Sequence, residues 1–574
     1  MQNLCTSILS PYQELDKQGF YQQSSHISYQ DYILYQETGD RAQYEKKYFA
    51  QRRRLTGLAL LLLYSREKKD YEKSLENVIW DICNEYTWAL PAHLPSGGTQ
   101  TDFEHDKLLD LFNCETALAL LEIKRLFHNT LPIFLQQRIE NEVNRRVLHV
   151  YLDQSRPSWK WESLPNNWNA VCSSSIGLIS LYSIEDPDLL KKTLNRILTN
   201  LNIYLNSFMP DGISLEGYYY WSYGYYFFVA FAEELKKNPI FKLDLLSKEI
   251  CLKIAKFQEY CFIGDQVTLS FSDSLPNEHY RIGLTYYLKN RYPQLSMPPK
   301  DMAFLEEDPY GRWLMAYRDF KWYKEYKDNI NVASSNLKGN GLISQKQQWV
   351  IYPITKDNTG LGFAAKGGNN DEPHNHNDIG SFIINDNNRQ LICDIGQGKY
   401  SKKYFGTGQY DIFCKSSLGH NVPIIEGKQQ SSGPNIKSLW LEDDITESSI
   451  SLKMDLSKAY ELIPGKSITR YFNFDYNKSV LTLKDVYLNC HNYTERFITP
   501  FQPIQNEKVV TIPTSGGNLL LEVLSPELSN IQIHVHSEEH VSHNDSKEIY
   551  WVIDYEKKTA EKEDPFLIQF HWEK

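Results

Sequence analysis

The hydrophobic period of this chain changes once along its length, and that change constrains the fold more than any other feature. Through the first 320 residues apolar side chains recur at three- and four-residue spacing, over 52–65, 71–85, 107–128, 132–154, 169–183, 187–208, 221–237, 244–260 and 278–289. Such spacing puts an apolar stripe on one face of a helix. Consecutive helices with short loops stack as hairpins. With no strict repeat, a closed toroid or an open arch is expected rather than a regular solenoid. The period switches within 310–330. The segments 349–353, 361–365, 381–384, 390–393, 438–442, 449–454, 480–487, 519–523, 530–536 and 549–554 are short, and many alternate apolar with polar residues. They predict an antiparallel sheet assembly in layers. The expected division is 1–320 and 321–574.

Composition narrows the function classes. At 574 residues and 41% hydrophobic content the chain is too apolar for disorder and too long for one core. Lys and Arg number 61 against 72 Asp and Glu, a net charge of −11, without basic blocks. General nucleic-acid binding is therefore not expected. A local basic cleft for a polyanionic substrate remains compatible with this balance. The longest apolar run, 58–64, falls well short of the roughly 18 residues a membrane helix needs. The N-terminus has neither a basic start nor an apolar segment, so no signal peptide is expected. Nine scattered cysteines without a CxxC pair suit reduced thiols in a cytoplasmic protein.

Three polar clusters could carry chemistry. The first is His374-Asn-His-Asn-Asp-Ile-Gly-Ser-Phe382, followed by Asp394 and His420. On an extended segment His374, His376 and Asp378 would share one side. Two imidazoles and a carboxylate on adjacent strands make a three-ligand zinc site; a metal-free His/Asp network uses the same residues. The second runs from Asp211 to Phe228 and is crowded with tyrosine, whose hydroxyl is awkward to bury unpaired. It reads as an aromatic core helix or as a sugar-stacking surface with a phenolic acid/base. The third, Leu164-Pro-Asn-Asn-Trp-Asn169, reads as a helix cap or as amide donors for a carboxylate. A further group, His534, His536, His540 and His543, reads as a solvated strand and loop.

Together these clusters resemble the heparinase II/III-like polysaccharide lyases. The matching pieces occur in family order: Trp88-Ala-Leu-Pro-Ala-His93, Leu108-Leu-Asp-Leu-Phe112 with Glu115-Thr-Ala, Asn166-Asn-Trp-Asn169, Glu216-Gly-x-x-Tyr220-x-x-Tyr223, His374-x-His376-x-Asp378, Asp394-x-Gly, and His420-Asn with Gly427-x-x-Gln430. The resemblance implies a multidomain α+β chain: an N-terminal (α/α) toroid, then a C-terminal antiparallel β-sandwich, with the active site between them. It implies β-elimination at C4–O of a uronic acid residue, and a structural zinc held by His376, Asp394 and His420.

In that chemistry charge develops on the carboxylate beside C5, and Asn167, Asn169 and His374 are the expected neutralisers. Tyr220, perturbed toward phenolate, is the expected acid/base, with Tyr223 next in line; His374 could also serve as base for the opposite C5 epimer. Glu216, Tyr223, Trp168 and His93 are the expected substrate contacts. Two positions depart from the family: Ala170 stands where some relatives carry His, and Tyr218 where Pro is common. The expected partner is a uronic-acid-containing oligosaccharide or polysaccharide, with no nucleic acid and no membrane; a homo-oligomer is compatible. A cytoplasmic enzyme would act on imported oligosaccharides from their ends, with residues 1–50 walling off the cleft. A uronyl hydrolase on a similar toroid and a non-catalytic glycan-binding protein are the rival readings.

Overall fold

The computed structural model describes residues 4–23, 25–64, 71–95, 104–208, 210–330, 341–354, 360–446, 448–525 and 528–573. Position 65 of the predicted 52–65 helix lies outside them. The first part contains helices Leu4–Lys17, Tyr29–Thr38, Ala42–Tyr64, Tyr71–Asn84, Leu111–Leu126, Ile133–Val143, Asn167–Ser183, Pro187–Asn206, Gly217–Lys237, Glu249–Cys261, Ile282–Arg291 and Trp313–Tyr326. A wider π-type turn over Asn144–Leu148 links Ile133–Val143 to the short helix His149–Leu152, which accounts for the single long stripe predicted at 132–154.

Several starts are capped by the residues the sequence offers. Ser28 and Asp31 form a reciprocal capping box. Asp110 accepts from Asn113 N at 2.7 Å, and Asn166 from Trp168 N at 3.1 Å. Asp186 caps a helix whose first residue is Pro187.

Trp313–Tyr326 packs on Ala42–Tyr64 and on Leu4–Lys17, so the last helix meets the first ones and the array closes as an (α/α) toroid. This helix runs through the 320/321 division expected from the sequence, and the first strand among the described residues is Leu342–Ser344. Its stripe is hidden because it buries charge: Arg318 bonds Glu122 at 2.7 and 3.1 Å, and Asp319 bonds Gly283 N at 2.9 Å. Buried ion pairs of this kind defeat an apolar-period reading.

The second part holds two large antiparallel sheets. One has five strands, in the order Leu342–Ser344, Trp349–Tyr352, Gly362–Lys366, Phe382–Asn385, Gln390–Ile392. The other has eight, in the order Ile504–Asn506, Val509–Thr514, Gly517–Val523, Glu563–Glu573, Val480–Leu488, Ser467–Asp475, Ser449–Asp455, Leu439–Ile445. They share a core that includes Phe363, Phe382, Ile450, Phe472 and Phe570, as expected of a sandwich. Burial alternates strictly along Ser449–Asp455 and Val509–Pro513, the period-two signature of a half-covered strand. A smaller sheet pairs Ile531–Val541, Lys547–Lys558, Asn492–Thr499 and Ile424–Ile425.

Two features tie the sandwich to the functional region. Trp349, Ile351, Ala364 and Ile383 point the other way, into the core of the toroid. Arg470, fully buried, bonds Asp485 and Glu495 and donates to the carbonyls of Gly380 and Asn421 at 2.8 Å each. It thereby pins the turn after His376 and Asp378 beside the one that follows His420. Eight cysteines among the described residues are free and buried. No helix among them is long and apolar enough to cross a membrane.

Candidate active site between toroid and sandwich

The helices Asn167–Ser183 and Gly217–Lys237 begin side by side beneath the sandwich, and their first turns carry the polar clusters. Gly217 has φ +84°, and a Cβ there would lie 2.3 Å from Ser274 Oγ. Only glycine lets the segment Ser270–Ser274 approach this closely. That segment carries Asp273, which organises the site. Fully buried, Asp273 receives His374 Nδ1 at 2.7 Å and the Tyr400 hydroxyl at 3.0 Å on one oxygen. Its other oxygen receives the Tyr404 hydroxyl at 2.5 Å and His376 Nε2 at 3.1 Å. Burial opposes its charge, but the hydrogen bonds from the two histidines outweigh burial and hold its pKa well below the usual carboxylate range.

The segment 371–381 forms turns rather than an extended strand, so the expected alternation fails. His374 has φ +57°, a left-handed conformation that a non-glycine residue seldom holds without surrounding support. The three residues expected on one side diverge: His374 enters the cleft, His376 turns inward to a buried group, and Asp378 pairs with buried Lys366 at 2.8 Å.

The cleft encloses about 330 Å³ and is lined from the helical half by Asn167, Trp168, Tyr220, Tyr223 and His93, and from the sandwich half by His374 and Tyr400. The Tyr220 ring stacks on the His374 ring at 3.9 Å, and its hydroxyl bonds that of Tyr400. Gln397 Nε2 donates to Tyr400 at 2.6 Å. Burial first, and Asp273 next, push the Tyr220 pKa well above the ordinary tyrosine value, the direction opposite to a shift toward phenolate. Tyr223 bonds Glu115 and lies under the Arg312 guanidinium at 4.3 Å. Burial lifts the Glu115 carboxyl to about 7. His93 bonds Asp110 at 2.7 Å and packs 4.7 Å from Trp168.

Two expected contacts are corrected. Asn169 is fully buried, outside the cleft: its amide donates to the carbonyls of Glu162 and Leu164 at 3.0 and 3.1 Å, and its oxygen accepts from Ser173. Of the two asparagines, only Asn167 faces the cleft, because Asn169 points down the helix into its own start. Glu216 is buried and does not line the cleft. It accepts from Asn167 N at 2.8 Å and Nδ2 at 2.6 Å, and stands 3.6 Å from His374 Nε2. Glu216 is therefore a support that aims Asn167 and faces His374, and one of the two amide N–H groups of Asn167 stays available.

Sequence reading missed Asp273, Tyr400, Arg312 and His543. Asp273 lies in a short run of small polar residues with no periodic signal, and its role comes entirely from residues over a hundred positions away. His543, set aside as part of a solvated loop, lines the cleft and bonds the Tyr310 hydroxyl at 2.7 Å; burial pulls its pKa down to about 4. His534 and His536 are exposed, as expected.

His376, Asp394 and His420 form a buried group whose ligand-type atoms lie within 4.8 Å of one another. The donor set fits a metal. His376 Nε2 is engaged by Asp273, and its Nδ1 is buried without a partner. His420 Nε2 is engaged by the Cys414 carbonyl at 2.8 Å, leaving Nδ1 beside Asp394 at 3.1 Å. Both rings thus have one nitrogen oriented by an acceptor and the other directed at the group, the usual arrangement of metal-binding histidines. A larger cavity of about 1010 Å³ opens beside Tyr29–Thr38, but none of the residues lining it belongs to the clusters above.

This toroid–sandwich architecture, with a polar cleft between the layers, is the heparinase-type polysaccharide lyase fold. The heparan sulfate lyase HepC mutant from Pedobacter heparinus superposes with a TM-score of 0.64 at 13% identity, over 98% of this chain and 82% of that one. A heparinase III superposes with a TM-score of 0.63 at 14% identity, over 98% and 91%. The Streptomyces coelicolor chondroitin AC lyase in complex with chondroitin sulphate gives 0.55 at 8% identity, over 100% and 80%. No protein-family profile and no curated protein matches the chain by sequence.

Proposed function

We propose that this protein is a lyase that cleaves uronic-acid-containing glycans, glycosaminoglycans of the heparan sulfate, hyaluronan or chondroitin type among them, by β-elimination. The observation that carries this reading is the convergence in one cleft of an amide donor, a phenol and an imidazole: Asn167, Tyr220 and His374. The free N–H of Asn167 binds the uronate carboxylate and stabilises the charge that grows there as C5 loses its proton. Asp273 fixes the His374 ring through Nδ1, so Nε2 is the atom that takes the C5 proton. Tyr220, resting as a phenol, gives its proton to the departing O4 as the C4–O bond breaks and the C4–C5 double bond forms. Tyr400, bonded to both Tyr220 and Asp273, orients that hydroxyl.

Glu45 is the only carboxylate among the described residues that line the cleft, and it is bonded to Arg41. An inverting hydrolase needs two carboxyls flanking the bond, which disfavours the uronyl hydrolase reading. The test is a panel of uronate glycans followed by product analysis. Elimination leaves a conjugated, ultraviolet-absorbing 4,5-unsaturated uronate; saturated products from every active substrate would rule the lyase reading out.

We also propose that His376, Asp394 and His420 hold zinc, which would fix the turn presenting His374. Protein purified without added metal is expected to carry about one zinc per chain by elemental analysis, and His376→Ala to lose it with a lower Tm. Metal-free protein with full activity and unchanged Tm would make the group a hydrogen-bond network.

A further inference from the structure

We infer that the cleft receives only the end of a glycan chain, because the two halves of the molecule meet across one side of it. This inference rests on the lyase reading and adds the form of substrate that the site accepts.

The wall is built from the turn after helix Tyr29–Thr38 and from the sandwich loop 399–405. Lys402 N donates to Gly39 O at 3.4 Å, a backbone contact between the two halves. Gly39 has φ +80°, and a Cβ there would lie 3.1 Å from Lys402 Cβ, so the turn and the loop are in direct van der Waals contact. Both partners carry cleft-lining side chains close to this contact: Tyr35 and Arg41 on one side, Tyr400 and Phe405 on the other. A second bridge, Tyr310 to His543 at 2.7 Å, again joins a helical-half residue to a sandwich residue at the cleft lining. The Tyr400 and His543 rings lie 4.5 Å apart, which joins the two bridges along one side. Arg41 is itself held by Glu45, so the wall has its own internal support.

A polymer cut in mid-chain must run through its site and leave at both ends. Here the enclosed volume of about 330 Å³ sits at the low end of the ~300–1,000 Å³ typical of small-molecule pockets. Bridges through main chain and ring contacts on one side leave a chain to enter from the other. The side chains at that wall, Arg41 and His543 with Tyr35, offer a cation and ring faces to a terminal anionic sugar.

The experiment uses the full chain and whichever uronate polymer gives ultraviolet-absorbing product, so that absence of any product counts against the lyase reading and not against this one. The wild type is expected to release only the shortest products from the first time points, with viscosity falling in simple proportion to bonds cut. Below saturation, shortening the polymer tenfold at equal mass should raise the initial rate about tenfold, because ends and not bonds are the substrate. The double variant Tyr35→Ala/Arg41→Ala, and separately Phe405→Ala, whose ring is half-exposed and so tolerant of loss, should shift early products toward longer oligosaccharides. A ladder of sizes with a rapid early viscosity drop from the wild type would overturn the inference. So would an initial rate independent of the number of chain ends.

Discussion

Replacing Tyr220 by Phe is expected to lower turnover by about 10²–10⁴-fold, the range that a positioned proton donor contributes. The ring still stacks on His374, so substrate affinity should change little and the loss should fall on kcat. Folding should be nearly intact, since the hydroxyl makes one contact, to Tyr400, and a single hydrogen bond contributes about 0.5–1.5 kcal/mol. The comparison is Tyr223→Phe, whose hydroxyl is occupied by Glu115 and whose ring is covered by Arg312; it should retain far more activity. Steady-state kinetics on both variants decide the matter. Loss in Tyr223→Phe with a fully active Tyr220→Phe would mean that the other tyrosine is the proton donor, and full activity in both would remove tyrosine from the mechanism.

The second large effect is expected at Asp273. Asp273→Asn keeps the shape but brings an amide N–H to face donors that need an acceptor, and it removes the charge that His374 and His376 share. Each donor left without a partner costs about 1–3 kcal/mol in a buried site, so a clear fall in Tm is expected. Activity should fall with it, because His374 loses the bond that fixes its ring through Nδ1. A readout separates this from simple unfolding: at a temperature where the variant is folded, zinc affinity should drop about 10–100-fold, the usual consequence of losing the partner that orients a ligating histidine. A folded Asp273→Asn protein with unchanged activity and zinc content would show that Asp273 is only a core hydrogen-bond acceptor.

Legibility in the sequence followed range. Elements set by local periodicity came through: the helix Tyr71–Asn84 and the strand Val480–Leu488 lie within a residue of their predicted bounds. The strand Ser467–Asp475 was missed although it alternates buried and exposed positions, because buried Arg470 occupies an inward slot where an apolar residue was sought. The same cause hid Trp313–Tyr326. At the site, residue types in motif order pointed to Asn167, Tyr220, His374 and the His376–Asp394–His420 group, which the fold brings into one cleft and one buried cluster. Asn169 and Glu216 carried the same motif signal, yet the fold turns one inward and places the other behind Asn167.

The sequence by itself determined the two-layer architecture, the order of its parts and the chemical vocabulary of the cleft. Those depend on the period of apolar residues and on side-chain type, both of which are local properties. The tertiary structure alone decided which of two neighbouring asparagines faces the cleft, that the Tyr220 pKa is raised, that His543 belongs to the site, and that Asp273 holds four donors together. Each of these depends on desolvation and on contacts that tertiary packing makes, across more than a hundred residues for Asp273 and His543. A buried charge takes its meaning from its partners, and no local pattern can name them.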